Sequence, residues 1–293
     1  MILVIFLSLL PQSRQSLLIG ILLGGLYAMM ALGLSLILGV LKIVNLAYGE
    51  TLILGAYVSY YSTQLWGLSS LVSLILVVPI LFVFGVFIHR AMLTKILAAG
   101  GEPLILLFGL ALALQNLMMF LWTPDARSIP SPLTTTIHVE DAAISLMRVV
   151  TFIISVLTVM LIRFVMSQTR FGLMVRAAAQ NKDAAELVGI NTTRVYTLLF
   201  GIGCALTGFS AVFTGILFPF NPVSGLAIFL KSLAVVTLAG MGSIGGLVIS
   251  GLVIGIVESL GGYLIGGGFK DLFTYGLLLI IIIVKPTGFF GRY

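Results

Sequence analysis

The sequence predicts an all-α membrane protein, a polytopic bundle of about eight to ten transmembrane helices, some of them discontinuous. Of its 293 residues, 60% are hydrophobic and only 8% are charged, and the mean hydropathy is +1.24. Soluble domains usually carry about 25% charged residues, and a fold with far fewer would aggregate in water. The apolar residues also fall into runs close to the roughly 20 residues that a helix needs to cross a bilayer. We therefore expect one transmembrane domain over residues 1–293.

Nine apolar runs are candidate spans. Six of them are clear, namely residues 16–40, 43–66, 71–88, 104–122, 146–166 and 195–217. Three later runs are less regular, namely residues 225–239, 247–265 and 272–284. The opening run, residues 1–10, is too short to span and lacks the basic flank of a signal peptide. Residues 1–15 are therefore expected to form an external or interfacial segment.

The basic residues predict the orientation of these spans. The formal net charge is +6, which elsewhere would suggest a nucleic-acid partner, but here the basic residues cluster in short loops between apolar runs. Cytoplasmic loops of membrane proteins carry an excess of Lys and Arg. Residues 89–102 and 163–194 are therefore expected inside, and residues 122–145 outside, with no nucleic acid bound. Residues 225–239 would form a helix of about 22 Å, shorter than the roughly 30 Å apolar core. The sidedness of residues 225–246 and of the carboxyl tail therefore stays open.

Two glycine-containing stretches interrupt the apolar runs. Gly240-x-Gly242-x-x-Gly245 matches a dinucleotide-binding fingerprint by its letters, but that fingerprint needs a soluble βαβ unit around it. Glycine destabilises a continuous helix, and broken helices at membrane depth often build transporter substrate sites. Tight packing of helices through small residues is the alternative. The second stretch, Asn45 to Glu50, contains an ionisable group inside an apolar run.

Charged and amide side chains inside a membrane are costly and are candidates for function. Glu50 could contact a substrate ammonium group, or it could cap the start of a half-helix near Gly49. Lys231 and Glu258 also lie close to apolar runs and could pair between helices. Gln115 and Asn116 place two amides in one predicted span, where interhelical hydrogen bonding is the simpler interpretation.

The polar stretch from Arg176 to Asn191 predicts a short amphipathic helix in a cytoplasmic loop. It is rich in alanine and carries mixed charges, which favours helix, and Gly189 is suited to the left-handed position that ends one. The stretch is too short and too polar to span a membrane. A rigid helix presented to the cytoplasm suits docking onto a partner, and a solvated connector is the alternative.

Patterns typical of enzymes are missing from the sequence. There is no Gly-Lys-Ser/Thr of a P-loop, so the chain is not expected to hydrolyse ATP by that route. The two histidines, His89 and His138, are predicted to lie next to loops and show no metal-binding spacing. No nucleophile–base pair can be assembled either. The sequence therefore predicts neither an enzyme nor a bound metal or cofactor.

At these motifs the sequence resembles the permeases of the branched-chain amino-acid ABC uptake family. The likeness runs from Leu18 to Arg292. Tyr48 departs from the family pattern, in which histidine is common at that place. The motifs that carry the likeness are Gly25-Leu26-Tyr27-Ala28, Ile43 to Glu50 with Gly55-Ala56-Tyr57, Thr169-Arg170-Phe171-Gly172-Leu173, Arg176-Ala177, Ala185 to Asn191, Gly240 to Gly246, and Lys285 to Arg292.

The resemblance implies a multi-pass protein of the plasma (inner) membrane that imports branched-chain or related amino acids. It implies a second permease subunit, two cytoplasmic ABC ATPases that bind the ATP, an external solute-binding protein and surrounding lipid. It also implies that residues 167–194 form a loop containing a helix that couples to the ATPases. On this basis we assign Asn45, Glu50, Gln115, Asn116, Gly242 and Ser243 to the substrate pathway, and Arg176, Asp183, Glu186 and Gly189 to coupling.

Other functions remain open at this point. The family also includes permeases for urea and short amides, so the solute is less defined than the mechanism. An ion-coupled secondary transporter is a second alternative, although the spans lack acid pairs and basic relays typical of one.

Overall fold

The computed structural model describes residues 11–139, 142–285 and 287–291, and in this part of the chain the fold is a helical bundle. Two short strands, β1 (Thr136–Val139) and β2 (Ala142–Ser145), form an antiparallel hairpin before α6. The helices are α1 (Pro11–Leu41), α2 (Tyr48–Trp66), α3 (Leu74–Ile88), α4 (Thr94–Ala98), α5 (Pro103–Trp122), α6 (Leu146–Gln168), α7 (Arg170–Gln180), α8 (Lys182–Leu187), α9 (Thr192–Leu217), α10 (Gly225–Ala239), α11 (Gly246–Ile265) and α12 (Lys270–Val284). A π-helical turn (His89–Leu93) joins α3 to α4, and 3₁₀ turns (Pro222–Ser224, Gly267–Phe269) precede α10 and α12.

Eight helical segments of the described chain are long and apolar enough to cross a membrane. They confirm the all-α polytopic fold and match eight of the nine predicted runs. The ninth run, residues 43–66, becomes α2, which starts only at Tyr48 and is not one of the eight. The segments are Arg14–Leu41, Leu74–Ala98, Pro103–Trp122, Leu146–Gln168, Thr192–Leu217, Pro222–Ala239, Gly246–Ile265 and Gly267–Val284.

Two predicted non-helical segments contain helix in the structure. Of the external segment predicted for residues 1–15, residues 11–15 belong to α1; residues 1–10 lie outside the described residues. Residues 89–102 were expected to be a loop, but the π-helical turn and α4 continue the helix to Ala98. His89 is consequently buried, packed beside Phe200 and hydrogen-bonded to Thr197. The chain between α5 and α6, predicted only as an external loop, contains the β1–β2 hairpin.

Helix α1 runs through the centre of the bundle and depends on small residues for its packing. A Cβ atom built on Gly24 would lie 2.6 Å from the Cα atom of Leu252, and one on Gly20 would lie 2.8 Å from that of Ile256, both on α11. Farther along α1, a Cβ atom on Gly33 would lie 2.5 Å from the carbonyl oxygen of Gly203 on α9. Small residues let helix backbones approach this closely, which is how membrane helices gain packing energy without a hydrophobic drive.

The contacts between helices repeat across the two halves of the chain. Helix α1 packs against α11 and α9 packs against α3, while α1 and α9 cross each other and α2 meets α10. The crossing is antiparallel, because Ile37 lies beside Gly203 while Gly33, one turn earlier on α1, lies beside Thr207. Helices α1–α2–α3 therefore correspond to α9–α10–α11 in the opposite orientation. Inverted repeats of this kind are common in transporters and tend to place the transport pathway at the interface between the repeats.

One end of the bundle, here called the basic end, carries Lys42, Lys95, Arg176, Lys182 and Arg194. Gly39 near the end of α1 lies against Gly242, so the turn between α10 and α11 is also at this end. The carboxyl tail joins it there, because the amide groups of Phe289 and Phe290 donate hydrogen bonds to the carbonyl groups of Leu238 and Ala239. The residues of the predicted cytoplasmic loops and the tail therefore lie together.

Candidate functional site: an interrupted-helix centre and a docking helix

Two helices, α2 and α10, begin inside the bundle with the same local pattern. Asn45 precedes α2, and its Oδ1 atom accepts a hydrogen bond of 3.1 Å from the amide of Ala47. Asn221 precedes α10, and its Oδ1 atom accepts a hydrogen bond of 3.1 Å from the amide of Val223. Asparagine favours such turns because its side chain bonds the backbone two residues on. Each connection returns into the bundle before its helix starts.

The connection from α1 to α2 shows how deep this return goes. After Leu41 the chain reverses at Lys42, whose φ angle is 56°. The Tyr48 hydroxyl then donates to the carbonyl oxygen of Met30, eleven residues before the end of α1. A helix rises 1.5 Å per residue, so α2 begins about 16 Å into the bundle from the end of α1. Asn45 and Tyr48 are both buried there.

The starts of α2 and α10 meet at two glycines, Gly49 and Gly225. The backbone of Gly225 lies where a Cβ atom on Gly49 would be. Beside this contact lies Glu50, whose side chain is 5% exposed. Its Oε2 atom has no hydrogen-bond partner within the described part of the protein. The positive ends of two helices thus converge near a carboxylate that has bonding capacity to spare.

The predicted alternatives for Glu50 can be weighed against this geometry. A capping role would use the carboxylate in hydrogen bonds to backbone amides at the start of α2. The residue before this helix, Ala47, has no polar side chain for a cap, and the Glu50 carboxylate contacts the backbone amide of Glu50 itself. Its Oε2 atom remains unused, so capping through one oxygen and a contact outside the helix are both compatible with this geometry, and Asn45 and Glu50 stay in the proposed pathway.

The other predicted pathway residues lie elsewhere. Gly242 and Ser243 sit in the turn after α10, at the basic end, with α10 between them and Glu50; its 15 residues correspond to about 22 Å. They border a cavity of about 760 Å³ together with Arg163 and Arg176. The expected break at membrane depth therefore occurs before α10, and the glycine turn after it serves close packing against Gly39.

Gln115 and Asn116 lie on α5, which packs against α2 and against the 3₁₀ turn that precedes α10. Asn116 is exposed, and its amide nitrogen donates a hydrogen bond of 2.7 Å to the carbonyl oxygen of Leu112 on the same helix. The interhelical hydrogen bond expected for Asn116 is therefore not formed. Gln115 is half-buried. The place of both residues in the pathway stays a prediction.

A charged cluster joins α10, α11 and α12, and it confirms the predicted pairing of Lys231 with Glu258. The Nζ atom of Lys231 lies 2.8 Å from Glu258 Oε1 and 2.8 Å from Asp271 Oδ1. Glu258 also accepts hydrogen bonds from the hydroxyl groups of Tyr27 (2.9 Å) and Thr274 (3.0 Å). Asp271 was missed from the sequence, because it lies at the start of α12 and only the fold brings it to Lys231.

The stretch predicted as one short helix forms two. Helix α7 stops at Gln180, and Asn181 adopts an extended conformation with its Oδ1 atom accepting from the amide of Ala184, the capping geometry of a new helix. The end at Gly189 is as predicted, with a φ angle of +87°. The amide groups of Gly189 and Ile190 donate to the carbonyl groups of Glu186 and Ala185, which is the Schellman pattern.

Helix α8, with the two residues that follow it, forms an exposed segment at the basic end, here called the docking segment after its predicted role. We define this segment as residues 182–189. At its tip Leu187 is 88% exposed and Val188 is 77% exposed. On its inner side Ala185 is buried. Two large apolar side chains held outward on a short capped helix form a small surface for a partner.

The predicted coupling residues take different places around this segment. Asp183 is exposed in the first turn of α8. Glu186 accepts a hydrogen bond from the Thr192 hydroxyl, which ties α8 to the start of α9. Arg176 reaches back and donates to the carbonyl oxygen of Met166 at the end of α6. Leu187 and Val188 are the outermost groups, and the sequence analysis did not single them out. The signal that could have found them is a pair of apolar residues directly after a charged helix.

Comparison with known proteins identifies the family. The family model described as "Branched-chain amino acid transport system / permease component" matches residues 16–282. The chain belongs to this permease family. Its glycine-packed bundle, interrupted helices and docking segment are therefore features of a transport permease with eight membrane-capable helices in the described residues.

Individual relatives cover this permease almost end to end. It is 30% identical to the high-affinity branched-chain amino acid transport system permease protein BraD of Pseudomonas aeruginosa, over 95% of each chain. It is 30% identical to the corresponding protein LivH of Escherichia coli (strain K12), over 93% of this chain and 94% of LivH. A probable LivH of Methanocaldococcus jannaschii is 25% identical over 89% of this chain and 85% of its own. No solved structure matches.

Proposed function

We propose that this protein is the membrane-spanning permease subunit of an ABC importer and forms part of the pathway for branched-chain or related amino acids. The observation that carries this proposal is the docking segment, in which Leu187 and Val188 project from the basic end of a bundle built from membrane-capable helices. Such a tip fits a cleft on a soluble partner, and the family membership supports an ATPase as that partner.

The fold suggests how a movement of the segment would reach the pathway. Glu186 of α8 is bonded to Thr192 at the start of α9, and Arg176 of α7 is bonded to the end of α6, so the pair α7–α8 is tied to both neighbouring membrane helices. Helix α9 then runs to Gly203, which packs against Gly33 of α1. Helices packed closely through glycine contacts move as rigid bodies, because their packed interfaces do not deform continuously. We expect ATPase closure to shift α6 and α9 against α1 and so to change access to the meeting point of α2 and α10.

The proposed assembly includes other subunits, which supply the functions that this chain lacks. Two cytoplasmic ABC ATPases bind and hydrolyse ATP, a second permease subunit completes the pathway, and an external binding protein delivers the solute. The basic end faces the cytoplasm, as the excess of Lys and Arg indicates. The relatives named for branched-chain amino acids cover nearly the whole chain, which supports that solute class over urea and short amides.

Reconstitution in liposomes tests the proposal. The permease alone should show no ATP-driven leucine uptake, and uptake should appear when the ATPases, the second permease and the binding protein are added. The Leu187→Ser variant is the matched test, because it removes the tip without touching the buried side of α8. Uptake by the permease alone under an imposed ion gradient would instead identify an ion-coupled transporter.

A further inference from the structure

A second feature of the bundle is not used by the coupling mechanism: a cavity of about 220 Å³ between α1, α10 and α12. It lies under the connection that joins α9 to α10, and Ser224 at the start of α10 is part of its wall. Drug-sized ligands occupy cavities of about 300–1,000 Å³, so this one suits a smaller molecule. It lies beside the start of α10, the same helix end that meets Glu50.

The polar side of the cavity carries charges of both signs. Lys231, Lys270 and Asp271 line it, and Glu258 stands directly behind Lys231. Two ammonium groups and two carboxylates sum to zero. A ligand with a net charge would leave an uncompensated charge at membrane depth, which is costly, whereas a zwitterion would not.

The charged groups of the cavity differ in how many hydrogen bonds and ion pairs each already makes within the protein. Glu258 is 3% exposed and bound by Tyr27, Lys231 and Thr274, so it is fixed in the framework. Asp271, with a side chain 42% exposed, is bound only by Lys231 through one oxygen. Lys270 lies over the ring of Phe218, with its Nζ atom 5.7 Å from the ring centroid. Asp271 and Lys270 are therefore the two charged groups with capacity for a ligand.

Most of the remaining wall is apolar. Phe218, Phe220, Ile228 and Met30 line the cavity together with the charged groups, and Thr214 and Ser224 add hydroxyl groups. A carboxylate next to a lysine, an ammonium next to an aspartate and a hydrocarbon side chain against aromatic rings together describe one kind of ligand. We infer that this cavity binds a single zwitterionic α-amino acid with an apolar side chain, Asp271 receiving its ammonium group and Lys270 its carboxylate.

This inference rests on the proposed function and adds to it a transient binding site within one permease subunit. Amino acid released outside the membrane would be held there, beside the starts of α2 and α10, before the helices move. It also predicts the selectivity of the pathway: neutral zwitterions enter, while urea, short amides and singly charged analogues are excluded because they pair with only one of the two charges.

A binding assay on the reconstituted complex tests the inference without ATP or binding protein. Radiolabelled leucine should bind, and unlabelled leucine should displace it. Leucinamide, which lacks the carboxylate, and 4-methylpentanoate, which lacks the ammonium group, should each compete at least about tenfold less well. Lys270→Gln and Asp271→Asn should each weaken leucine binding by a similar factor. Lys285→Gln, at the basic end, is the matched control and should bind as the wild type does.

Each outcome of these measurements either supports the proposed binding site or overturns it. Asp271 contacts the partly buried Lys231, so its variant is accepted only if it elutes as the intact complex; Lys270→Gln, on a half-buried side chain outside the cluster of Lys231, Glu258 and Asp271, tests the site independently. Equal competition by leucine and leucinamide, or unchanged binding by Lys270→Gln, would overturn the site. ATP-dependent uptake by the same wild-type proteoliposomes is measured alongside. If uptake is normal while specific binding is absent, the site is wrong and the importer stands; if uptake is absent, the proposed function itself fails.

Discussion

Gly49 and Gly225 are in backbone contact although they lie in different halves of the chain, so two helices begin against each other inside the bundle. A Cβ atom on Gly225 would lie 2.6 Å from Glu50 Oε1 and 3.0 Å from the Glu50 amide nitrogen. The contact therefore has no room for a side chain. It holds the centre of the inverted repeat together and positions the Glu50 carboxylate, whose buried Oε2 atom makes no hydrogen bond within the described residues.

The Gly225→Ala variant should separate the starts of α2 and α10. Overpacking of this kind costs about 1–3 kcal/mol, and we expect a lower melting temperature of the purified permease and strongly reduced uptake by the complex. Gly109→Ala is the matched control, because a Cβ atom there meets nothing within 4 Å and alanine favours helix. Equal uptake by the two variants would show that the contact is not tight in the protein.

The Glu50→Gln variant should impair transport more than stability. Its Oε2 atom makes no hydrogen bond in the described residues, so we expect removal of the charge to cost little stability. Glu258→Gln is the contrast, since that carboxylate is bound by three donors and breaking a buried ion pair costs about 3–5 kcal/mol. Melting temperature and uptake are measured for both. Normal uptake by Glu50→Gln would exclude a transport role for the charge.

Much of this architecture could be predicted from local signals. Runs of apolar residues located eight membrane-capable helices, and Gly189 located the end of α8, because both depend on neighbouring residues only. Asn181 also carried a local signal, as asparagine favours the first capping position of a helix, but the alanines around it favoured one continuous helix. The repeated pattern Asn45-x-x-x-Gly49 and Asn221-x-x-x-Gly225 was visible as well and indicates the paired helix starts.

Tertiary relationships were beyond the reach of such signals. From the sequence alone, His89 is predicted to be a loop residue beside Arg90. In the structure the helix continues past Ile88 through the π-helical turn that His89 begins, and the His89 ring packs against Phe200. From the sequence, Asp271 is predicted to be an ordinary acidic residue in the first turn of a helix. Its ion pair with Lys231 depends on the packing of α10 against α12. The glycine turn at Gly242 has the letters of an interrupted helix, but its depth depends on where α10 begins. Pattern alone does not determine that depth.

The sidedness of the bundle can be measured by labelling. In a Cys204→Ala background, Thr134→Cys, exposed before the hairpin, should react with a membrane-impermeant maleimide from outside intact cells. Asp183→Cys, exposed on α8, should react only after the cells are opened. The physical reason is the excess of basic residues at the end that carries α8. Reaction of the Asp183→Cys probe from outside would reverse the orientation and remove the basis for ATPase docking.

The Leu187→Asp variant should uncouple the complex without unfolding it. Leu187 is almost fully exposed, so a charge there costs little in the isolated permease, whereas it would have to be desolvated in an apolar cleft of a partner. We expect loss of solute-stimulated ATP hydrolysis and weaker ATPase pull-down, with an unchanged melting temperature. Leu173→Asp on α7, also exposed, is the matched control. Equal ATP hydrolysis by both variants would place the docking surface elsewhere.

Gly189 separates the shape of the docking segment from its chemistry. Its φ angle of +87° is one that residues with a Cβ atom adopt at a cost of about 1–2 kcal/mol, although a Cβ atom there would touch nothing within 4 Å. The Gly189→Val variant should therefore distort the Schellman end, move Leu187 and the link from Glu186 to Thr192, and reduce solute-stimulated ATP hydrolysis in the reconstituted complex. Asparagine tolerates the left-handed conformation, so Gly189→Asn should retain most of the activity despite its larger, polar side chain. A graded loss that follows side-chain size, with Gly189→Asn as impaired as Gly189→Val, would show that the position is limited by space against the ATPase rather than by backbone conformation.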